Sequence, residues 1–193
     1  MSAGNTMDRR EFIRMAGSAA VAGSMAACRN TVEAWNFFTD EEAKIAEAIC
    51  EQIIPADRDP GAAWAGAARF IDRQLVGFYA EHQTLYRKGL AGVQEISMAK
   101  FGKPFVELEF DRQTEILTAL EKNQAPGETW KHISAGQFFN LILEHTMQGY
   151  YGSPRHGGNR AAASWRMLGL PHPPIRGRYH YDLTQLADSR KKE

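Results

Sequence analysis

The stretch SAGQFFNLIL, residues 134–143, decides the fold class of this 193-residue chain. Ser134 and Gln137 form a capping box, in which each side chain satisfies the backbone N–H of the other at the start of a helix. The residues that follow are apolar on nearly every side of the helix. We therefore expect this helix to lie at the centre of a bundle.

A second capping box opens an earlier helix. Thr39 is followed three residues later by Glu42, and the helix behind them carries Ile45, Ile49 and Ile53. A spacing of four places the three isoleucines in one stripe, which is expected to be buried. The proline at position 55 ends this helix, because proline lacks a backbone N–H and clashes with the preceding turn.

Further helical stretches follow along the chain. Apolar periodicity predicts helices over residues 63–79, 82–101 and 111–122, and a last short helix over 160–168. Their inward faces are expected to carry Ala67, Ile71, Leu75 and Phe78; Tyr86, Leu90, Val93 and Ile96; and Ile116, Leu117 and Leu120. No alternating run indicates a β-strand. The sequence thus predicts an all-α fold: a single compact bundle of about five to six helices over residues 29–174, with an extended C-terminal tail over 175–193.

The first 28 residues are typical of an export signal. Arg9, Arg10 and Phe12 lie in a twin-arginine motif, and a weakly hydrophobic run rich in Ala, Gly and Ser follows up to Ala27. Such a leader directs a folded protein through the twin-arginine translocase to the periplasm or the outer face of the bacterial inner membrane. The alternative is a chance arginine pair in a disordered N-terminus.

The sequence contains two alternative cleavage sites at the end of this leader. Residues 24–26 match the small-x-small pattern of ordinary cleavage, and residues 25–28 resemble a lipoprotein box that would make Cys28 a lipid anchor. With Cys28 lipidated, Cys50 is expected to be a buried small hydrophobe. Without lipidation, a Cys28–Cys50 bridge is the alternative in an oxidising compartment.

Composition argues against several functions. Lys plus Arg and Asp plus Glu number 23 each, so there is no positive excess to attract nucleic acid. Two cysteines cannot form a four-thiolate metal site. Sequence motifs for covalent haem, dinucleotides, phosphate, zinc and a serine nucleophile are all absent. We therefore expect no cofactor, no metal and no catalytic residue in this chain.

Six histidines leave one metal alternative open. His145 and His156 flank a glycine-rich segment and have Glu144 nearby, a set that could converge on a metal ion. The simpler expectation is a hydrogen-bonded histidine at a helix end and a second histidine in a loop.

The densest signal outside the core lies between residues 149 and 166. Glycines allow close backbone approach, and Tyr, Trp and Arg are enriched at binding hot spots. The segment is predicted to be a loop over 149–159, and its candidates for a partner interface are Gly149, Tyr150, Tyr151, Gly152, Arg155, His156, Gly157, Gly158, Asn159, Arg160 and Trp165. The alternative is a tight internal loop whose aromatic residues fill the end of the bundle.

Together these residues resemble the gluconate 2-dehydrogenase subunit 3 family, over about residues 38–174. The blocks that carry the resemblance are residues 53–57 (IIPAD) with 60–61 (PG), 70–72 (FID), 85–90 (LYRKGL), 102–105 (GKPF), 145–152 (HTMQGYYG), 154–160 (PRHGGNR) and Trp165. No block is decisive alone, but their order is specific.

The resemblance implies a role in a larger enzyme. Members are small subunits of FAD-dependent sugar and sugar-acid dehydrogenases, bound to a large flavin subunit of the glucose-methanol-choline type and often to a cytochrome c subunit. The small subunit commonly supplies the export signal and helps the flavin subunit mature. Two alternatives are a free-standing periplasmic lipoprotein with another partner, and an independent enzyme that uses His145 or His156 as a base.

Overall fold

A computed structural model describes residues 34–170, which form seven α-helices and no β-strand. The helices are α1 (Asp40–Ile53), α2 (Ala62–Ala65), α3 (Ala67–Leu75), α4 (Gln83–Phe101), α5 (Phe110–Glu121), α6 (Ala135–Tyr151) and α7 (Ala163–Met167). The prediction of an all-α, compact bundle is confirmed. The leader over residues 1–28 and the tail over 175–193 lie outside the described residues.

Helix α6 lies at the centre of the bundle, as its apolar sequence predicts, because it packs against all six other helices. Ser134 Oγ accepts a hydrogen bond from the Gln137 N–H at 3.1 Å, which confirms the first half of the capping box. A further cap comes from Asn123, whose Oδ1 accepts from the Gly136 N–H at 3.0 Å. The first turn of α6 is therefore held from two sides.

Helix α1 begins with the complete capping box that the sequence predicts. The Glu42 N–H donates to Thr39 Oγ1 at 3.2 Å, and the Thr39 N–H donates to Glu42 Oε2 at 2.8 Å. Ile45 and Ile49 are buried, whereas Ile53, the last residue of the helix, is only partly buried. The stripe therefore faces the core over most of its length.

The predicted helix over 63–79 is wrong in two respects. It is divided into α2 and α3 at Gly66, whose φ of 77° lies in the left-handed region that glycine tolerates without strain. It also ends at Leu75, so Phe78 falls in a turn and is 80% exposed, not buried. The division at Gly66 raises the helix count above the predicted five to six.

Helices α4 and α5 bury the side chains predicted for them. A Cβ on Gly89 would lie 2.2 Å from Cδ2 of Phe138, so glycine lets α4 approach the centre of α6. Gly102 ends α4 with a φ of 66°. None of the helices within residues 34–170 is long and apolar enough to cross a membrane.

Candidate functional site

The segment predicted to be a loop over 149–159 starts with helix. Helix α6 continues to Tyr151, so the loop begins only at Gly152. The helix continues because Gly149 and Tyr150 pack inward. A Cβ on Gly149 would lie 3.0 Å from the Ala67 Cα, and the buried Tyr150 donates its hydroxyl hydrogen to the Pro60 carbonyl at 2.8 Å. Both residues therefore join α6 to the α2–α3 side of the bundle.

The turn after α6 folds back onto the helix that precedes it. A Cβ on Gly158 would lie 2.1 Å from the Gly149 carbonyl oxygen. Any residue other than glycine would therefore clash with this carbonyl. Asn159 is fully buried, and its Nδ2 donates to the Gly152 carbonyl at 2.8 Å. Its Oδ1 accepts from the Ser164 N–H at 3.0 Å. One side chain therefore ties the end of α6 to the first turn of α7.

This turn contains strained backbone. Asn159, Ala161 and Ala162 have φ values of 45°, 51° and 53°, in the left-handed region that costs a non-glycine residue roughly 1 kcal/mol or more. Trp165 helps to hold the conformation, since its Nε1–H donates to the Tyr151 carbonyl at 2.9 Å. The surrounding contacts therefore impose a shape that the local sequence does not prefer.

The structure divides the predicted interface residues into two groups. Gly149, Tyr150, Gly158 and Asn159 are buried and build the turn itself. The exposed members, which are the ones a partner can reach, are Tyr151, Arg155, His156 and Arg160. Gly152, Gly157 and Trp165 are half-buried. The interface remains a prediction for the exposed group, and the buried group has an internal role.

His145 lies in a stack of aromatic rings inside the bundle. Its imidazole is parallel to the Tyr79 ring at 4.1 Å between centroids, and its Nδ1 lies 2.9 Å from the Tyr86 hydroxyl. The Tyr79 hydroxyl donates in turn to Gln148. Burial, and then the nearby His82, lower the pKa of His145 to about 4, so the ring is neutral near pH 7. These contacts give the histidine a packing role.

His156 lies elsewhere, on the exposed turn, and its Nε2 accepts a hydrogen bond from Arg155 Nε at 3.0 Å. The rings that contact His145 belong to Tyr79, His82 and Tyr86, on the α3–α4 side of the bundle. Within residues 34–170, no three His, Cys, Asp or Glu side chains are grouped so that they could hold a metal ion.

Cys50 has the environment predicted for a small hydrophobe. Within residues 34–170 it forms no disulfide, it has no exposed surface, and its Sγ lies 3.3 Å from Thr146 Oγ1. Burial raises its pKa to about 12, which keeps it protonated and unreactive. Cys28, and with it the choice between lipidation and a Cys28–Cys50 bridge, lies outside the described residues.

Asp72 is the polar residue that sequence reasoning missed. It is fully buried on α3, and its carboxylate accepts four hydrogen bonds from the segment before α1. The donors are the Asn36 N–H and Nδ2 at 2.8 and 2.7 Å, the Phe37 N–H at 2.9 Å and the Phe38 N–H at 3.0 Å. The signal was present in the sequence, because Asp72 shares a helix face with Ala68 and Leu75.

Fold and site together define a class of protein: a small all-α bundle whose buried polar groups hold its own helices and turns in place. A family model described as gluconate 2-dehydrogenase subunit 3 matches residues 40–171, more than half of the chain. The chain belongs to this family, and it is a small subunit of a dehydrogenase complex. The resemblance stated from the sequence is confirmed. Neither the curated proteins nor the solved structures compared with the chain gave a match.

Proposed function

We propose that this chain is the non-catalytic small subunit of a periplasmic or membrane-associated, FAD-dependent sugar or sugar-acid dehydrogenase. It carries the twin-arginine leader, supports the maturation of the flavin-containing catalytic subunit and takes it across the membrane as a folded passenger. The observation that carries the proposal is the family match over residues 40–171. In this complex the FAD belongs to the large subunit, and haem c belongs to a cytochrome subunit where one is present.

Two features of the chain support the role of an escort. The first is the leader with Arg9 and Arg10, which belongs to an export route for folded proteins. The second is the packing of His145 and Cys50, the two buried groups best suited to chemistry, which are held by Tyr79, Tyr86 and Thr146. A subunit of this kind acts through its surface, and the exposed residues of the turn after α6 are the proposed contacts.

Export of the flavin subunit tests the proposal directly. Replacing Arg9 and Arg10 together by lysine keeps the charge but removes the arginine pair, so we expect the flavin subunit and its dehydrogenase activity to stay in the cytoplasmic fraction. Arg14→Lys, in the same leader but outside the pair, is the matched control and should leave export intact. A flavin subunit that still reaches the periplasm in the Arg9→Lys, Arg10→Lys strain would refute the escort role.

The exposed turn residues can be tested in the assembled complex. Arg160→Ala and Tyr151→Ala should each weaken association of the small and large subunits by about tenfold or more, the effect typical of a hot-spot residue. Lys122→Ala, at the exposed residue directly after α5, is the control. Equal affinities for the wild type and both turn variants would place the interface elsewhere on the bundle.

A further inference from the structure

The segment that joins the leader region to the bundle is held across two helices. We call residues 35–38 the strap, since they lie directly before the capping box of α1. Asp72 on α3 accepts the four hydrogen bonds of the strap described above. From α4, Arg87 donates to the Phe37 carbonyl at 2.8 Å and lies 4.2 Å from the centroid of the Phe37 ring.

The strap also packs its aromatic rings against the bundle. Phe38 is 4% exposed, and its ring lies 6.0 Å from that of Tyr86 on α4. The guanidinium of Arg69 on α3 lies 3.5 Å from the centroid of the Trp35 ring. Three aromatic side chains directly behind the leader region are therefore covered wholly or in part by α3 and α4.

These contacts require a folded chain. The strap and Asp72 are 34 to 36 residues apart in the sequence, so no local turn brings them together. An isolated buried carboxylate is expensive, but here both oxygens accept two hydrogen bonds each, which satisfies the group. The strap therefore forms only when α3 has packed beside it, and Asp72 is satisfied only when the strap is in place.

We propose that Asp72 is a positioning residue that makes export depend on folding, because its clamp hides the aromatic strap behind the leader only when α3 and α4 are packed. In an unfolded or loosened chain the strap is free, and the aromatic side chains of Trp35, Phe37 and Phe38 are exposed a few residues after the leader, which ends at residue 28. Exposed apolar patches of this kind attract other proteins and promote aggregation. The inference rests on the proposed function in one respect, namely that the leader is an export signal.

The clamp itself is tested by limited proteolysis of the full-length chain, retained in the cytoplasm by Arg9→Lys and Arg10→Lys. Asp72→Asn turns one acceptor into a donor that faces other donors. We expect chymotrypsin to cut after Phe37 and Phe38 about 10- to 100-fold faster, the equilibrium change for one lost charge-assisted hydrogen bond. Cleavage after Phe110, which is exposed on α5, should stay unchanged. Unchanged cleavage of the strap would overturn the proposal.

Two further variants test the clamp if Asp72→Asn folds poorly. Asn36→Ala removes only the side-chain contact of an exposed residue and should speed cleavage of the strap in the same direction, by a smaller factor. Leu120→Ala, in the core of α5, loosens the bundle without touching the clamp. It should raise cleavage at all sites together.

Export is then measured with the intact leader, as the fraction of this chain found in the periplasm. Asp72→Asn should lower that fraction at least about threefold more than Leu120→Ala does, when temperature is adjusted so that both variants are equally folded. Equal export of the two variants would overturn the proposal. If the Arg9→Lys, Arg10→Lys chain is itself exported, the leader assignment fails, and that failure is separate from any result on Asp72.

Discussion

Lowering the pH from about 7.5 to about 5 should destabilise the bundle through His145, and His145→Gln should remove that part of the loss. The imidazole is 2% exposed and stacked on Tyr79, so the folded chain resists its protonation. Burial lowers the pKa of His145 from 6.5 to about 4, and the neighbouring His82 adds to the shift. Glutamine cannot be protonated in this range but keeps the capacity to hydrogen-bond with Tyr86.

The size of the effect follows from linkage. Well above pH 6.5 the histidine is neutral in both the folded and the unfolded chain, and it contributes no pH dependence. As the pH falls below 6.5, the unfolded chain binds the proton and the folded chain does not, so stability is lost. At about pH 5 the two pKa values give a loss of about 2 kcal/mol in the free energy of unfolding. The loss levels off below pH 4, where the folded chain also binds the proton.

Urea denaturation of the wild type and of His145→Gln, each at about pH 7.5 and about pH 5, isolates this contribution. Groups that do not contact position 145 are the same in both proteins, so their effects cancel in the difference between the two pH dependences. The variant loses ring stacking and should be less stable than the wild type near pH 7.5. If both proteins lose the same free energy on acidification, His145 is not held neutral and the stacked arrangement is wrong.

Two further outcomes follow from the packing. Gly158→Ala should lower the free energy of unfolding by about 1–3 kcal/mol, because its Cβ would meet the Gly149 carbonyl, which is backbone. Gly77→Ala, whose nearest neighbour would be 3.7 Å away, should cost less than about 0.5 kcal/mol, and equal losses in urea melts would refute the steric argument. In a Cys28→Ser background, Cys50 should react with a thiol reagent only after urea unfolds the bundle; fast reaction of the native protein would contradict its burial.

Much of the fold follows from local sequence signals. Three signals place α1, α4 and α6 without knowledge of the tertiary structure: the capping box at Thr39, the glycine at position 102 and the apolar run after Ser134. Each of them acts on residues that are close to it in the sequence. Capping and helix periodicity are properties of one turn or one face of a helix. The prediction is therefore most accurate where the stabilising contact is close in the sequence.

The features that the sequence did not predict depend on contacts between residues that are distant in the sequence. Gly66 is compatible with a continuous helix in the sequence, but in the folded chain it has a φ of 77° and lies close to the Gly157 carbonyl, which a Cβ would meet at 3.3 Å. Asp72 lies beside the predicted inward face of its helix and not on it, and its hydrogen-bond partners are more than 30 residues away. The predicted loop begins at residue 149, whereas α6 continues to Tyr151. Gly149 and Tyr150 are residue types common in loops, but here they pack in the core. Each miss depends on a contact between distant segments.

The difference between local signals and long-range contacts also applies to the proposed interface. Glycines and aromatic residues that look like a binding motif in the sequence are equally suited to close internal packing, and here Gly149, Tyr150 and Gly158 serve that purpose. Their packing holds the strained turn, and the exposed residues Arg155 and Arg160 belong to that turn. A rigid platform reduces the entropy that exposed side chains lose on binding. Substitutions in the buried residues should therefore weaken partner binding through the shape of the turn, whereas substitutions in the exposed arginines should do so at unchanged stability.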